Sequence, residues 1–85
     1  MFDIKDRELE SFFKIVAKNV QQKRIDKGKT QLEVAQIALD NANDTYLSKL
    51  ENYSNNKVFN LEQLYRIAKF LDCSIEDFFK GVKYE

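Results

Sequence analysis

Residues 24–52 read RIDKGKTQLEVAQIALDNANDTYLSKLEN, and this stretch decides the fold. Gly28 is a natural helix end, since glycine enters the left-handed conformation that closes a helix at no steric cost. Two residues on, Thr30-Gln31-Leu32-Glu33 has the form of a capping box, with a hydroxyl for an orphan amide and a glutamate three residues later reaching back. It opens a helix with Leu32, Ala35 and Leu39 expected inward, assisted by Val34 and Ala38. Asp40-Asn41-Ala42-Asn43-Asp44 is a turn by composition, and a further helix follows over about Asp44–Asn52 with Leu47 and Leu50 inward.

Outward from this pair the pattern stays helical. Leu9, Phe12, Phe13, Val16, Ala17 and Val20 recur at steps of three and four, so a helix starts near Asp6 or Ser11 and runs to Gly28. Arg24 falls on that same apolar face. Tyr53–Phe59 is a polar loop, after which Asn60-x-x-Gln63 caps a helix with Leu61, Leu64, Ile67, Ala68 and Leu71 expected to be buried. Ser74-x-x-Asp77 begins a short fifth helix ending at Phe78-Phe79. Proline is absent and glycine occurs only at 28 and 81, which favours helices joined by short polar turns. The expectation is an all-α domain of five helices over residues 11–80, with an N-terminal extension at 1–10 and a tail at 81–85.

Composition narrows the function. Eighty-five residues, 44% hydrophobic, fill one modest core. No apolar run approaches a membrane span, and the chain reads as cytoplasmic. With no histidine and the single Cys73, no zinc site, disulfide or cofactor is expected, and an enzyme is the least favoured class. The net charge is zero but unevenly spread. Residues 11–30 carry six Lys or Arg against Asp26, while 31–56 carry Lys49 against Glu33, Asp40, Asp44 and Glu51. A solvated face is the ordinary meaning of the lysines at 14, 18, 23, 27 and 29. Cys73 reads as buried packing.

Three stretches resemble the phage-repressor family of helix-turn-helix proteins, also called the xenobiotic-response-element type. Residues 24–35 are similar to its R-x-x-x-G-x-T-Q-x-x-L-A, Tyr46–Asn52 to x-I-S-R-I-E-N, and 61–79 to L-x-x-L-x-x-I-A-x-x-L-x-V-S-x-x-x-L-F. The resemblance implies a five-helix DNA-binding domain whose third helix, about Asp44–Asn52, enters the major groove of a double-stranded operator, where each base pair shows a distinct pattern. It implies a repressor or autoregulator acting as a homodimer, or in narrower terms an antitoxin or a restriction–modification controller. A reading of another class is a protein-interaction module that has lost DNA binding.

Residue by residue, the resemblance places Asp44, Thr45 and Lys49 at base edges and Gln31, Ser48, Asn52 and Lys57 at the DNA backbone. It joins Arg24 and Glu51 in a structural ion pair. Lys49 can donate to guanine and Thr45 can meet a thymine methyl; Asp44 either accepts from a cytosine amino group or stabilises the helix start. Gln31 contacts phosphate or is an ordinary exposed residue. Tyr46 packs under the turn or projects to the backbone. The interval from Ala35 to Glu51 is sixteen residues where the family has fourteen, so the turn is expected to be longer, with Asp40 or Asn41 left-handed. Some of Phe70, Phe78, Phe79, Val82 and Tyr84 are candidates for a dimer face.

Overall fold

Most helix boundaries are written by a short polar side chain or a left-handed residue. The computed structural model describes residues 6–82, and its regular secondary structure is all helical, with no strand among the described residues. Helix α1, Asp6–Asp26, ends where Gly28 turns left-handed at φ 70°, with the Lys29 amide donating to the Arg24 carbonyl. Thr30 then caps α2, Gln31–Glu33, in a complete capping box. The Glu33 amide donates to Thr30 Oγ1 at 3.0 Å, and the Thr30 amide donates to Glu33 Oε1 at 2.9 Å. The Thr30 backbone and hydroxyl contacts hold the Glu33 carboxyl below its usual range.

Helix α2 continues without a break into a π-helical segment, Val34–Ala38, in which the Leu39 amide reaches back five residues to the Val34 carbonyl. Asp40, at φ 52°, supplies the left-handed exit. Helix α3, Asp44–Glu51, is followed by a 3-10 turn at Ser54–Asn56. Helix α4, Leu61–Leu71, opens with the Asn60/Gln63 capping box and closes on left-handed Asp72. The expected fifth helix is a 3-10 segment, Ile75–Phe79, capped by Ser74. Ser74 Oγ accepts from the Glu76 amide, while Asp77 turns to Lys80 and Lys23 at 3.3 and 3.5 Å. Ser74 thus caps the segment alone, and Asp77 is engaged by the two lysines.

One core gathers Val16 and Val20 from α1, Val34, Ala35 and Ala38 from the π segment, Leu47 from α3, Leu64, Ile67, Ala68 and Leu71 from α4, and Phe78. Four expectations are corrected here. Leu32, in the first turn of α2, is exposed and Leu39 only half-buried, while Val34, Ala35 and Ala38 are buried as expected. Leu61 is 73% exposed, since it stands at the first position of α4, before the helix has turned onto the core. Phe78 is fully buried and so is unavailable to a dimer face, while Phe70, Phe79 and Val82 are half-buried. Residues 6–10 belong to α1, not to an extension, and Leu9 within them is exposed. Tyr84 and residues 1–5 lie outside the described residues.

The 21-residue α1 is about 31 Å long, against extents of 43 × 25 × 19 Å, so it sets the long axis. Asn19 ties its middle to the 3-10 segment, donating to the Phe78 and Lys80 carbonyls at 3.0 and 2.8 Å. Cys73 is half-buried, and burial pushes its thiol up. Among the described residues no helix is long and apolar enough to cross a membrane, and no cluster of His, Cys, Asp or Glu is placed to hold a metal.

Candidate nucleic-acid interface

Helix α3 is held at both ends. At its C-terminal end Glu51 carries a carboxylate whose side chain is 0% exposed. Arg24, in the last turn of α1, grips it with two parallel bonds, Nε to Oε2 at 2.7 Å and Nη2 to Oε1 at 3.1 Å. The third guanidinium nitrogen, Nη1, donates to the Lys29 carbonyl at 2.9 Å. Gln31, the first residue of α2, donates its amide to Glu51 Oε1 at 3.0 Å. A buried carboxylate is costly unless donors surround it, and the planar guanidinium fork suits two of those bonds. The result is a three-element junction that sets where α3 begins and ends relative to α1 and α2.

At the other end Asn43, not Asp44, is the cap. Its Oδ1 accepts from the Thr45 amide at 2.8 Å, and its own amide donates to Asn41 Oδ1 at 2.9 Å. Asp44 is left exposed in the first helical turn, where the helix dipole favours a carboxylate. Between the two ends Tyr46 is half-buried, and its hydroxyl accepts from Gln63 Nε2 at 2.6 Å. Gln63 Oε1 meanwhile accepts from the Asn60 amide in the α4 capping box. One glutamine side chain thus pins α3 to the start of α4. Tyr46→Phe should lose roughly 0.5–1.5 kcal/mol of stability, the net worth of one hydrogen bond, read as a lower urea midpoint at unchanged slope.

The candidate contact residues are distributed unequally. Asp44, Thr45, Ser48 and Lys49 share one face of α3 by their spacing, with Ser48 half-buried and the other three exposed. Asn52 closes the helix, its Nδ2 donating to the Ser48 carbonyl at 2.8 Å and lying 3.4 Å from Ser48 Oγ. Gln31 is occupied at the buried junction by Glu51, so one of its amide hydrogens is committed before any phosphate arrives. Lys57 is exposed and sits apart, at the rim of an apolar cleft with Val58 and Phe59. The face carries one acid and one base, together with two hydroxyls able to donate and accept hydrogen bonds.

Two positioning groups escape a reading of the sequence. Gln63 is visible as a cap, but nothing in the sequence reports its second bond to Tyr46. Lys29 lies with its Nζ 5.5 Å from the centre of the Phe70 ring, a cation–π contact joining the α1–α2 turn to α4. The extra chain between Ala35 and Glu51 is also placed differently from expectation. Part of it is wound into the π segment, since each π turn takes up one residue more than an α turn; the connection itself covers Leu39–Asn43. No family model, curated protein or solved structure matches the chain.

Proposed function

We propose that the protein is a sequence-specific DNA-binding regulator, a repressor or autoregulator, that lays α3 in the major groove of a two-fold operator as a homodimer. The observation that carries this reading is the buried Arg24–Glu51–Gln31 junction, which fixes the pose of a short helix while leaving Asp44, Thr45 and Lys49 free at its surface. A helix that reads bases needs a fixed pose, because a bidentate contact tolerates little misplacement. Thr45 and Lys49 are then the base-reading groups, with Asp44 accepting from a cytosine amino group. Ser48, Asn52 and the second Gln31 amide hydrogen lie nearer the phosphates, and Lys57 adds charge at the flank. One short helix reads few base pairs, so two half-sites about one turn apart supply the remaining specificity.

The test is selection of a preferred duplex from a randomised library, followed by binding across a salt series. Selective binding is expected, with a log–log salt slope of about −0.9 for each phosphate neutralised. Lys49→Ala should relax selectivity at one base position by about 1–3 kcal/mol, whereas Gln31→Ala should weaken binding to all sequences alike. Absence of any sequence preference, with only millimolar affinity at low salt, would remove the operator reading and favour a protein-interaction module.

A further inference from the structure

Helix α3 carries one polar contact toward each end, and the two lie on different sides of it. Glu51 meets Arg24 and Gln31 at the C-terminal end, and Tyr46 meets Gln63 five residues earlier. By helix geometry these contacts stand roughly 140° apart around the axis and about 7.5 Å apart along it. Two directional contacts so placed fix both the tilt of a helix and its rotation. Leu47 and Leu50, buried between them, set its depth on the core, but apolar packing has little preferred direction.

Gln63 is held so that its amide can only point one way. Its backbone amide donates to Asn60 Oδ1 at 2.7 Å, and its Oε1 accepts from the Asn60 amide at 2.9 Å. With the oxygen engaged in the α4 cap, the nitrogen of the same group faces Tyr46. The 2.6 Å contact is thus aimed by the cap, from a helix whose Leu64, Ile67 and Leu71 are anchored in the core. Tyr46 is half-buried, and the residue before it is the exposed Thr45.

Thr45 lies one residue from the Tyr46 contact and six from Glu51, about 9 Å along the axis. Lys49 lies two residues from Glu51, about 3 Å along the same axis. A helix held only at Glu51 would therefore misplace Thr45 more than Lys49. From this we infer that Gln63 is a positioning residue for base reading: through Tyr46 it sets where Thr45 meets its base pair, whereas the Arg24–Glu51 junction sets Lys49. This role deepens the operator reading and rests on it. Gln63 itself needs no contact with DNA.

The test compares two base positions on a selected duplex, defined as those where Thr45→Ala and Lys49→Ala each relax selectivity. Affinities are measured well below the melting temperature of every variant. Tyr46→Phe and Gln63→Met should each relax selectivity at the Thr45 position about two- to tenfold, the worth of one hydrogen bond, and leave the Lys49 position unchanged. The double variant should lose no more than either single one. Gln63→Glu should rescue the Thr45 position, because one carboxylate oxygen still accepts from the Asn60 amide while the other accepts from the tyrosine hydroxyl. Its added charge weakens binding to all duplexes alike and leaves the ratio intact. Uniform weakening by Tyr46→Phe would overturn the proposal, since that marks a hydroxyl bound directly to phosphate. So would equal relaxation at both positions, no relaxation at either, or a Gln63→Glu variant as impaired as Gln63→Met.

A second measurement needs no DNA. In Tyr46→Phe, amide hydrogen exchange at residues 45–47 should quicken about two- to tenfold relative to Glu51 and Asn52. An even change along α3 would show that the contact does not hold one end of the helix, and would overturn the proposal. Failure to select any duplex would sink the operator reading; the exchange pattern would still uphold or overturn the positioning of α3.

Discussion

Arg24→Met should destabilise the protein by roughly 3–5 kcal/mol, enough to lower the melting temperature by about 12 °C or more in a domain of this size. The cause is what the substitution leaves behind. Glu51 has a fully buried side chain, and Arg24 supplies two of its three side-chain donors; with Arg24 gone, only Gln31 remains beside the carboxylate. An uncompensated buried charge costs far more than the pair gains. Replacing both partners by apolar residues, Arg24→Met with Glu51→Leu, should therefore restore most of the loss. Thermal and urea unfolding of the single and double variants measure the difference directly. A double variant as unstable as the single one would mean that the junction contributes through packing alone. The double variant also separates folding from function: it should fold well yet bind selected DNA more weakly, because its third helix is no longer held by a directional contact.

Phe78→Ala should cost about 3–5 kcal/mol, the range for removing a buried aromatic ring. Phe78 sits in a 3-10 segment of five residues, which by length alone would pass for a dispensable tail. It is nonetheless 0% exposed and belongs to the same core as Val20, Ile67 and Leu71. Asn19 fixes the carbonyls on either side of Phe79, and Lys23 reaches Asp77, so the backbone is in no position to collapse into the space the ring vacates. Against a total stability of 5–15 kcal/mol for proteins in general, such a loss is large. A urea midpoint shifted by less than the equivalent of about 1 kcal/mol would show that the ring is not anchored as described.

The parts of the fold that could be read in advance are the local ones. Gly28, Thr30 with Glu33, and Asn60 with Gln63 act through bonds spanning five residues or fewer, and residue type and spacing alone announce them. The joining of Arg24 to Glu51 is implied by the family resemblance, whereas residue pattern alone marks only a charged side chain on an apolar face. What could not be read depended on winding or on tertiary choice. Of the apolar face expected for the second helix, Ala35 is buried, but Leu32 stands in its first turn and is exposed, and Leu39 stands at its end and is half-buried. Leu61 fits the apolar stripe of α4 yet lies before the helix meets the core. Asp44 and Asn43 are equally good caps by composition, and the Asn41 side chain beneath Asn43 is what favours the latter. The Tyr46 and Gln63 contact joins residues seventeen apart, and no local pattern marks it.

The π segment bears on how this chain tolerates changes of length. A helix with one wide turn holds slack: an added residue is stored as backbone winding, paired through a longer hydrogen bond, and is not spent lengthening a loop. The residues on either side, Thr30 at the cap and Asp40 at the exit, keep their own local bonds and conformations. The spacing between the two helices is thus uncoupled from the number of residues that join them. In this chain the winding of Val34–Ala38 takes up length between Ala35 and Glu51 that would otherwise lie in the connection, while Glu51 keeps its junction with Arg24.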